Sequence, residues 1–147
     1  WQEGISAAKF CEINMHIIRY SDALLMYAEA LNEVGESVKA HEVLNRVRER
    51  AFGDSSGNYS GLSKDAFRQA ILEERFLEFP IEGHRWFDLV RMGVFVTRMK
   101  EHSAYEASIA ENNKTDIAKN IKDHLILMPI PQRELDLNPE LNQNPGW

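Results

Sequence analysis

Ala40, Val43, Leu44, Val47 and Ala51 recur at i, i+3, i+4, i+7 and i+11, a spacing that puts all five on one face of an α-helix and on both faces of a strand. This is the strongest period in the chain. A shorter stripe precedes it, Leu24, Ala28 and Leu31, and between the two lie Gly35 and Ser37. Gly35 takes the positive φ that ends a helix, and Ser37 is placed to accept a backbone N–H at the start of the next. The spacing therefore predicts two helices joined by a sharp turn over residues 16–51.

Small residues stand where such helices approach most closely, at Ala28, Gly35 and Ala40, with Leu31, Leu44 and Val47 beside them. Small residues at a crossing let backbones come together while larger ones fill the flanks, which is the pattern of a tetratricopeptide-like hairpin. One hairpin cannot bury both its faces. No second clean copy is found, so further repeats are expected outside this chain, and the absence of an initiator methionine or apolar leader reads as a trimmed piece.

Farther on, Gly53-Asp54-Ser55-Ser56-Gly57-Asn58 reads as a surface loop. A third helix follows, with Ser63 as its N-cap, Leu62 and Phe67 as a hydrophobic staple, and an apolar face of Ala70, Ile71, Phe76 and Leu77 that Pro80 ends. Past Gly83, residues 84–91 form a short helix presenting Trp86, Leu89 and Val90 to the core, and residues 94–108 form another. Glu111 to Asp123 is polar and reads as an exposed helix end or loop. Residues 125–131 are apolar with two prolines, an extended segment expected to be buried against the helices. Residues 132–137 make a helical turn, and Asn138-Pro139 and Asn144-Pro145 punctuate an irregular tail. The expected fold class is all-α, a single domain over residues 1–147.

Charge and composition exclude several functions. The 147 residues carry 17 basic and 23 acidic side chains, a net charge of −6, with no basic cluster to neutralise phosphates, which argues against nucleic acid as partner. No apolar run approaches the roughly 20 residues of a membrane span. The single cysteine, Cys11, cannot form an internal disulfide.

Catalytic and metal motifs are largely missing. His41-Glu42-Val43-Leu44-Asn45 begins like a zinc protease helix, but Asn45 stands where the second histidine belongs, and a structural role is the better reading. No Glu-x-x-His pair, no Gly-x-Ser-x-Gly turn and no phosphate-cradling glycine loop occurs, so no metal or cofactor is expected. Glu74, Glu78 and Glu82 fall four apart, and a carboxylate pair such as Glu74 and Glu78 would suit glycoside hydrolysis. The neighbouring Arg75 and Arg85 favour a salt-bridged face instead. In Glu82-Gly83-His84-Arg85-Trp86-Phe87-Asp88-Leu89-Val90-Arg91, a helix junction whose polar groups satisfy exposed backbone ends outweighs a functional charge network.

Taken in order, residues 24–33, 44–51, 71–75, 82–91, Pro129-Ile130-Pro131 and Asn144-Pro145-Gly146-Trp147 resemble the C-terminal part of the SusD/RagB family. The resemblance spans residues 17–147. It implies a non-enzymatic outer-membrane lipoprotein of Bacteroidetes, exposed at the cell surface, that captures glycans or other nutrients and hands them to a SusC-like TonB-dependent channel. It also implies tetratricopeptide-like helix pairs, which supply the missing neighbours, and a lipid anchor outside this chain; Cys11, preceded by Ala8-Lys9-Phe10, does not match the lipid-bearing cysteine. Ligand contacts in the family come from its variable parts, so none transfers by motif. On physical grounds a sugar needs an aromatic face with amide neighbours, and Tyr59 beside Asn58, and Tyr105 ahead of Asn112 and Asn113, are the candidates. Two other readings stand beside this one: a helical scaffold that binds only protein, and a glycoside hydrolase using Glu74 and Glu78.

Overall fold

The computed structural model describes residues 17–109 and 120–147; Cys11, Asn112, Asn113 and most of the polar 111–123 stretch lie outside them. The described residues form α-helices and short 3-10 turns with no strand: α1 (Tyr20–Glu33), α2 (Ser37–Phe52), α3 (Lys64–Glu78), α4 (His84–Arg91), α5 (Phe95–Ile109) and α6 (Gln132–Leu137). Contacts group the chain into two units, Trp1–His84 and Arg85–Trp147.

In the first unit α1 and α2 form the expected hairpin. Gly35 sits at φ 87°, its N–H donates to the Asn32 carbonyl at 3.2 Å, and the Glu36 N–H donates to the Leu31 carbonyl at 2.9 Å. These two bonds close a Schellman motif, which a residue with a Cβ would resist. Ser37 is not the cap that its residue type suggests. The link is so short that Ser37 is already the first helical residue, behind an N-cap Glu36 whose side chain makes no capping bond.

Ala28, Ala40, Leu25, Leu44 and Val47 are buried in one cluster with Phe67, Ala70, Ile71 and Phe79 of the third helical segment. Both alanines are fully inaccessible, so the small residues do lie inside the packed helix pair. Ala51, expected on the same stripe, is exposed. By that point α2 has run past the core, and the chain turns away at Gly53.

Ser63 caps α3 by accepting from the Ala66 N–H at 3.3 Å, and Leu62 packs on the cluster that holds Phe67. The face of α3 is rotated from the one expected: Leu72, Glu74 and Arg75 are buried, whereas Phe76 and Leu77 are 51% and 67% exposed. The interior accepts Glu74 and Arg75 because each meets an opposite charge, and a helix has only one inward face to give.

After α3 the chain turns over Phe79-Pro80-Ile81-Glu82, closed by the Glu82 N–H on the Phe79 carbonyl at 3.3 Å. Ile81 lies at φ 68° with its side chain fully in solvent. A β-branched residue in the left-handed region is strained.

In the second unit α4 matches its expected bounds and ends, like α1, in a Schellman motif: Gly93 N–H to the Val90 carbonyl and Val94 N–H to the Leu89 carbonyl. Leu89 and Asp88 are its buried residues; Trp86 and Val90, expected to fill the core, are only half-buried. Trp86 meets Phe87 edge-on at 5.0 Å. The apolar 125–131 segment is a further departure. Ile126, Leu127 and Met128 are exposed, and the tail grips backbone instead of side chains. Gln143 pairs with both the N–H and the carbonyl of Ile130, at 2.8 and 2.9 Å. Asn144 Nδ2 donates to the Met128 carbonyl at 2.7 Å, and Trp147 Nε1 to the Leu127 carbonyl at 3.0 Å. Side-chain amides thus do the work of a neighbouring strand.

Replacing Ile81 by glycine removes the left-handed penalty of roughly 1–2 kcal/mol against about 0.5–1 kcal/mol of added unfolded-chain entropy, and loses no packing. Ile81→Gly is therefore expected to raise stability slightly in chemical denaturation, where alanine at the same position gains little.

Candidate functional site

The polar side chains of the first unit are organised around arginines. Arg75, on α3, meets Asp22 of α1 at 2.6 Å, with both side chains almost wholly buried. Arg48, on α2, pairs with Glu74 of α3 in a similarly buried contact. Glu78, at the end of α3, takes Arg19 at 2.9 Å and Arg50 of α2. Arg19 also clasps Glu82 through Nε and Nη2 at 3.1, 3.0 and 2.8 Å. Phe79 lies between two cations, 4.9 Å from Arg19 and 5.1 Å from Arg75, so that its ring shares in stabilising both. α1 and α2 are thereby each tied to α3 through charge as well as through apolar packing.

A row on α2 explains the zinc-like motif. His41, Asn45 and Arg48 lie at i, i+4 and i+7, and each holds the loop that leads to α3. His41 Nδ1 lies 2.7 Å from the Ser37 carbonyl and Nε2 accepts from the Leu62 N–H at 3.2 Å. The carbonyl only accepts and the N–H only donates, so the ring is the neutral Nδ1–H tautomer with both nitrogens in use. Asn45 clasps Tyr59, donating to its carbonyl and accepting from its N–H, each at 2.9 Å. Arg48 Nε donates to the Gly57 carbonyl. Among the described residues no group of three or more His, Cys, Asp or Glu side chains is placed to hold a metal.

Tyr59 and Asn58 belong to this held loop. The Arg48 guanidinium covers the Tyr59 ring at 4.0 Å from its centroid, and Asn58 Nδ2 donates to Glu49 at 2.7 Å. Tyr105 stands on α5 in the second unit and is 62% exposed. Asn58 and Tyr59 lie side by side in the held loop of the first unit, and Tyr105 belongs to the second. Asp22, Arg19 and Arg48 carried no expectation from the sequence, and Arg75 was expected only on a salt-bridged face; the signal for Asp22, Arg48 and Arg75 is an ionisable residue recurring on the apolar face of its helix.

The carboxylates considered for hydrolysis are committed to these arginines. Burial disfavours charge on Glu78, but hydrogen bonds from the Ser21 hydroxyl, Arg50 and Arg19 outweigh it and hold its carboxyl below the ordinary value of 4.5. A glycosidase acid needs the opposite shift. Arg19 likewise lowers Glu82. At the far end of the hairpin Arg68 and Lys64 pull exposed Glu33 down to about 2. In the Glu82–Arg91 cluster, Asp88 pairs with Arg91 at 3.0 Å, while Glu82 serves Arg19 and not a backbone end.

Residues Arg19, Tyr20, Ser21, Leu24, Arg46, Val47 and Arg50 line a cavity of about 220 Å³ beside the start of α1. Arg46 donates to the Tyr20 hydroxyl at 3.0 Å and lies 5.9 Å over its ring.

The arrangement is that of a helical-repeat scaffold whose charged residues serve architecture, with a small cationic cavity at its surface. The SusD family profile matches residues 2–147, and the chain belongs to the SusD family. A SusD-like protein of Formosa agariphila is 34% identical over 129 residues, covering 87% of this chain and 23% of that protein. The starch-binding protein SusD of Bacteroides thetaiotaomicron is 27% identical over 143 residues, covering 97% of this chain and 23% of that one. A crystal structure of a SusD homolog from Bacteroides thetaiotaomicron superposes with a TM-score of 0.79 at 35% identity, covering 88% of this chain and 26% of that chain. The chain therefore spans about a quarter of the length of the relatives it matches. The tetratricopeptide-like, all-helical fold expected from the hairpin is the fold of these neighbours.

Two outcomes are expected from this charge architecture. Asp22→Ala leaves Arg75 buried without its partner and should cost about 3–5 kcal/mol, read as a lower urea midpoint. Glu78 has a depressed folded pKa, so its contribution is fully present above 4.5 and is lost as pH falls from there through the folded value, because in that window the unfolded chain binds a proton that the folded chain does not. Denaturation midpoints should fall on acidification below 4.5. In Glu78→Gln they should start lower at neutral pH and depend less on pH.

Proposed function

We propose that this chain is the C-terminal portion of a longer outer-membrane surface lipoprotein that captures glycans or other nutrients and delivers them to a SusC-like TonB-dependent channel. Capture is by reversible contact, without covalent chemistry. Membership of the SusD family over nearly the whole chain is the observation that carries this reading, and the name of the starch-binding relative supports a glycan as ligand. No described helix is long and apolar enough to cross a membrane, so attachment would come from a lipid anchor carried elsewhere in the protein.

Within this portion, Tyr105 offers the more open aromatic ring for stacking on a sugar face. Tyr59 and Asn58 contribute by holding the loop before α3, with Tyr59 covered on one side by Arg48. The carboxylates Glu74 and Glu78 brace helices, which fits binding better than hydrolysis.

Affinity electrophoresis of the full-length protein through gels containing single polysaccharides tests the reading. Retardation in at least one gel, with no release of reducing sugar from it, is the expected result; equal mobility in every gel from a panel of neutral and acidic polysaccharides would overturn it.

A further inference from the structure

In the first unit Arg19, Arg48, Arg50, Arg68 and Arg75 each meet a carboxylate. Arg46 is different. Its contacts among the described residues are the hydroxyl and the ring of Tyr20, both uncharged. Arg46 also lines the cavity at the start of α1, together with Arg19, Arg50 and Tyr20.

The charges around this cavity can be assigned residue by residue. Glu78 and Glu82 balance Arg19 and Arg50, so among the described residues Arg46 is the guanidinium lining the cavity that meets no carboxylate. A guanidinium has five N–H donors in a planar fork that matches a two-oxygen acceptor, and Tyr20 accepts from only one of its nitrogens. Tyr20 brings a largely exposed ring and Leu24 an apolar wall, the surfaces on which sugar C–H groups rest. At about 220 Å³ the cavity holds roughly seven waters' worth of volume at ~30 Å³ each, the scale of one sugar ring and not of a chain.

We infer that this cavity is a subsite for one sugar residue bearing a singly charged oxyanion, a carboxylate or a sulfate ester, with Arg46 as the group that reads the charge and Tyr20 as its platform. The inference rests on the glycan reading above and adds a ligand class to it. The planar fork of Arg46 matches two oxygens of a carboxylate or a sulfate ester, and the exposed tyrosine beside the guanidinium favours a sugar over an acidic peptide.

The test is calorimetric titration of the full-length protein with tetragalacturonate, a sulfated galactotetraose and neutral galactotetraose, for the native chain and for Arg46→Gln and Arg46→Lys. At least one acidic probe should bind tenfold or more tightly than the neutral one, and that preference should fade as salt is added. Arg46→Gln should abolish the preference without changing the melting temperature, and Arg46→Lys, which keeps charge but loses the fork, should retain part of it. A preference for uronate alone or for sulfate alone identifies the substituent and supports the subsite either way. Equal affinity for acidic and neutral probes, or a preference that survives Arg46→Gln, overturns the subsite while leaving glycan capture standing. Binding of a tetraglutamate peptide, lost in Arg46→Gln, with no acidic sugar bound, overturns the sugar assignment. Retention of polysaccharides in the gels is read independently, so failure of the subsite and failure of glycan capture are separable.

Discussion

Two guanidinium groups, those of Arg75 and Arg48, lie in the interior of the helical hairpin and its third helix, each against a carboxylate from a neighbouring helix. Taking such charges out of water is costly, and it is tolerated only where the partner and further hydrogen bonds are in place. That condition constrains everything around it. It fixes the rotation of α3, turning Glu74 and Arg75 inward and leaving Phe76 and Leu77 outside. It also fixes α1 against α3 through Asp22, and α2 against α3 through Glu74. Apolar packing alone is tolerant of small rotations and exchanges of similar side chains; a buried, hydrogen-bonded ion pair is much less so.

The same arginines shape the surface. Arg48 pairs with Glu74, donates to the Gly57 carbonyl and covers the Tyr59 ring, so one side chain joins core, loop and aromatic face. His41 and Asn45 hold the rest of that loop from the same side of α2. A loop made largely of Gly, Ser, Asp and Asn has only Tyr59 and Leu62 to pack on the core. Its backbone groups must find partners elsewhere, and α2 supplies them in a row set by the helical repeat. This polar row is what the zinc-like sequence motif encodes.

This economy of charge extends to the surface. Among the described residues of the first unit the other arginines each meet a carboxylate, and Arg46 stands out at a cavity with an exposed tyrosine. In the second unit the tail holds extended backbone through Gln143, Asn144 and Trp147 and leaves Leu127 and Met128 open.

The sequence by itself determined the helices, the Gly35 turn, the Ser63 cap, the alanines at the crossing and the family, because each depends on local spacing or on residue type at one position. It did not determine the inward turn of Glu74 and Arg75, the exposure of Ala51, Leu77 and the 126–128 stretch, or the burial of Arg48 and Asp22. Helical periodicity assigns faces by counting apolar residues, and it has no means to show that two charges far apart in the chain meet and cancel. Tertiary structure decided that, since only the approach of α1, α2 and α3 brings up the carboxylates that make a buried arginine tolerable. Tyr59 and Arg46 illustrate the division: one is a tyrosine in a polar loop, the other one of several helix arginines, until the fold covers the first with a guanidinium and leaves the second facing a cavity without a counter-charge.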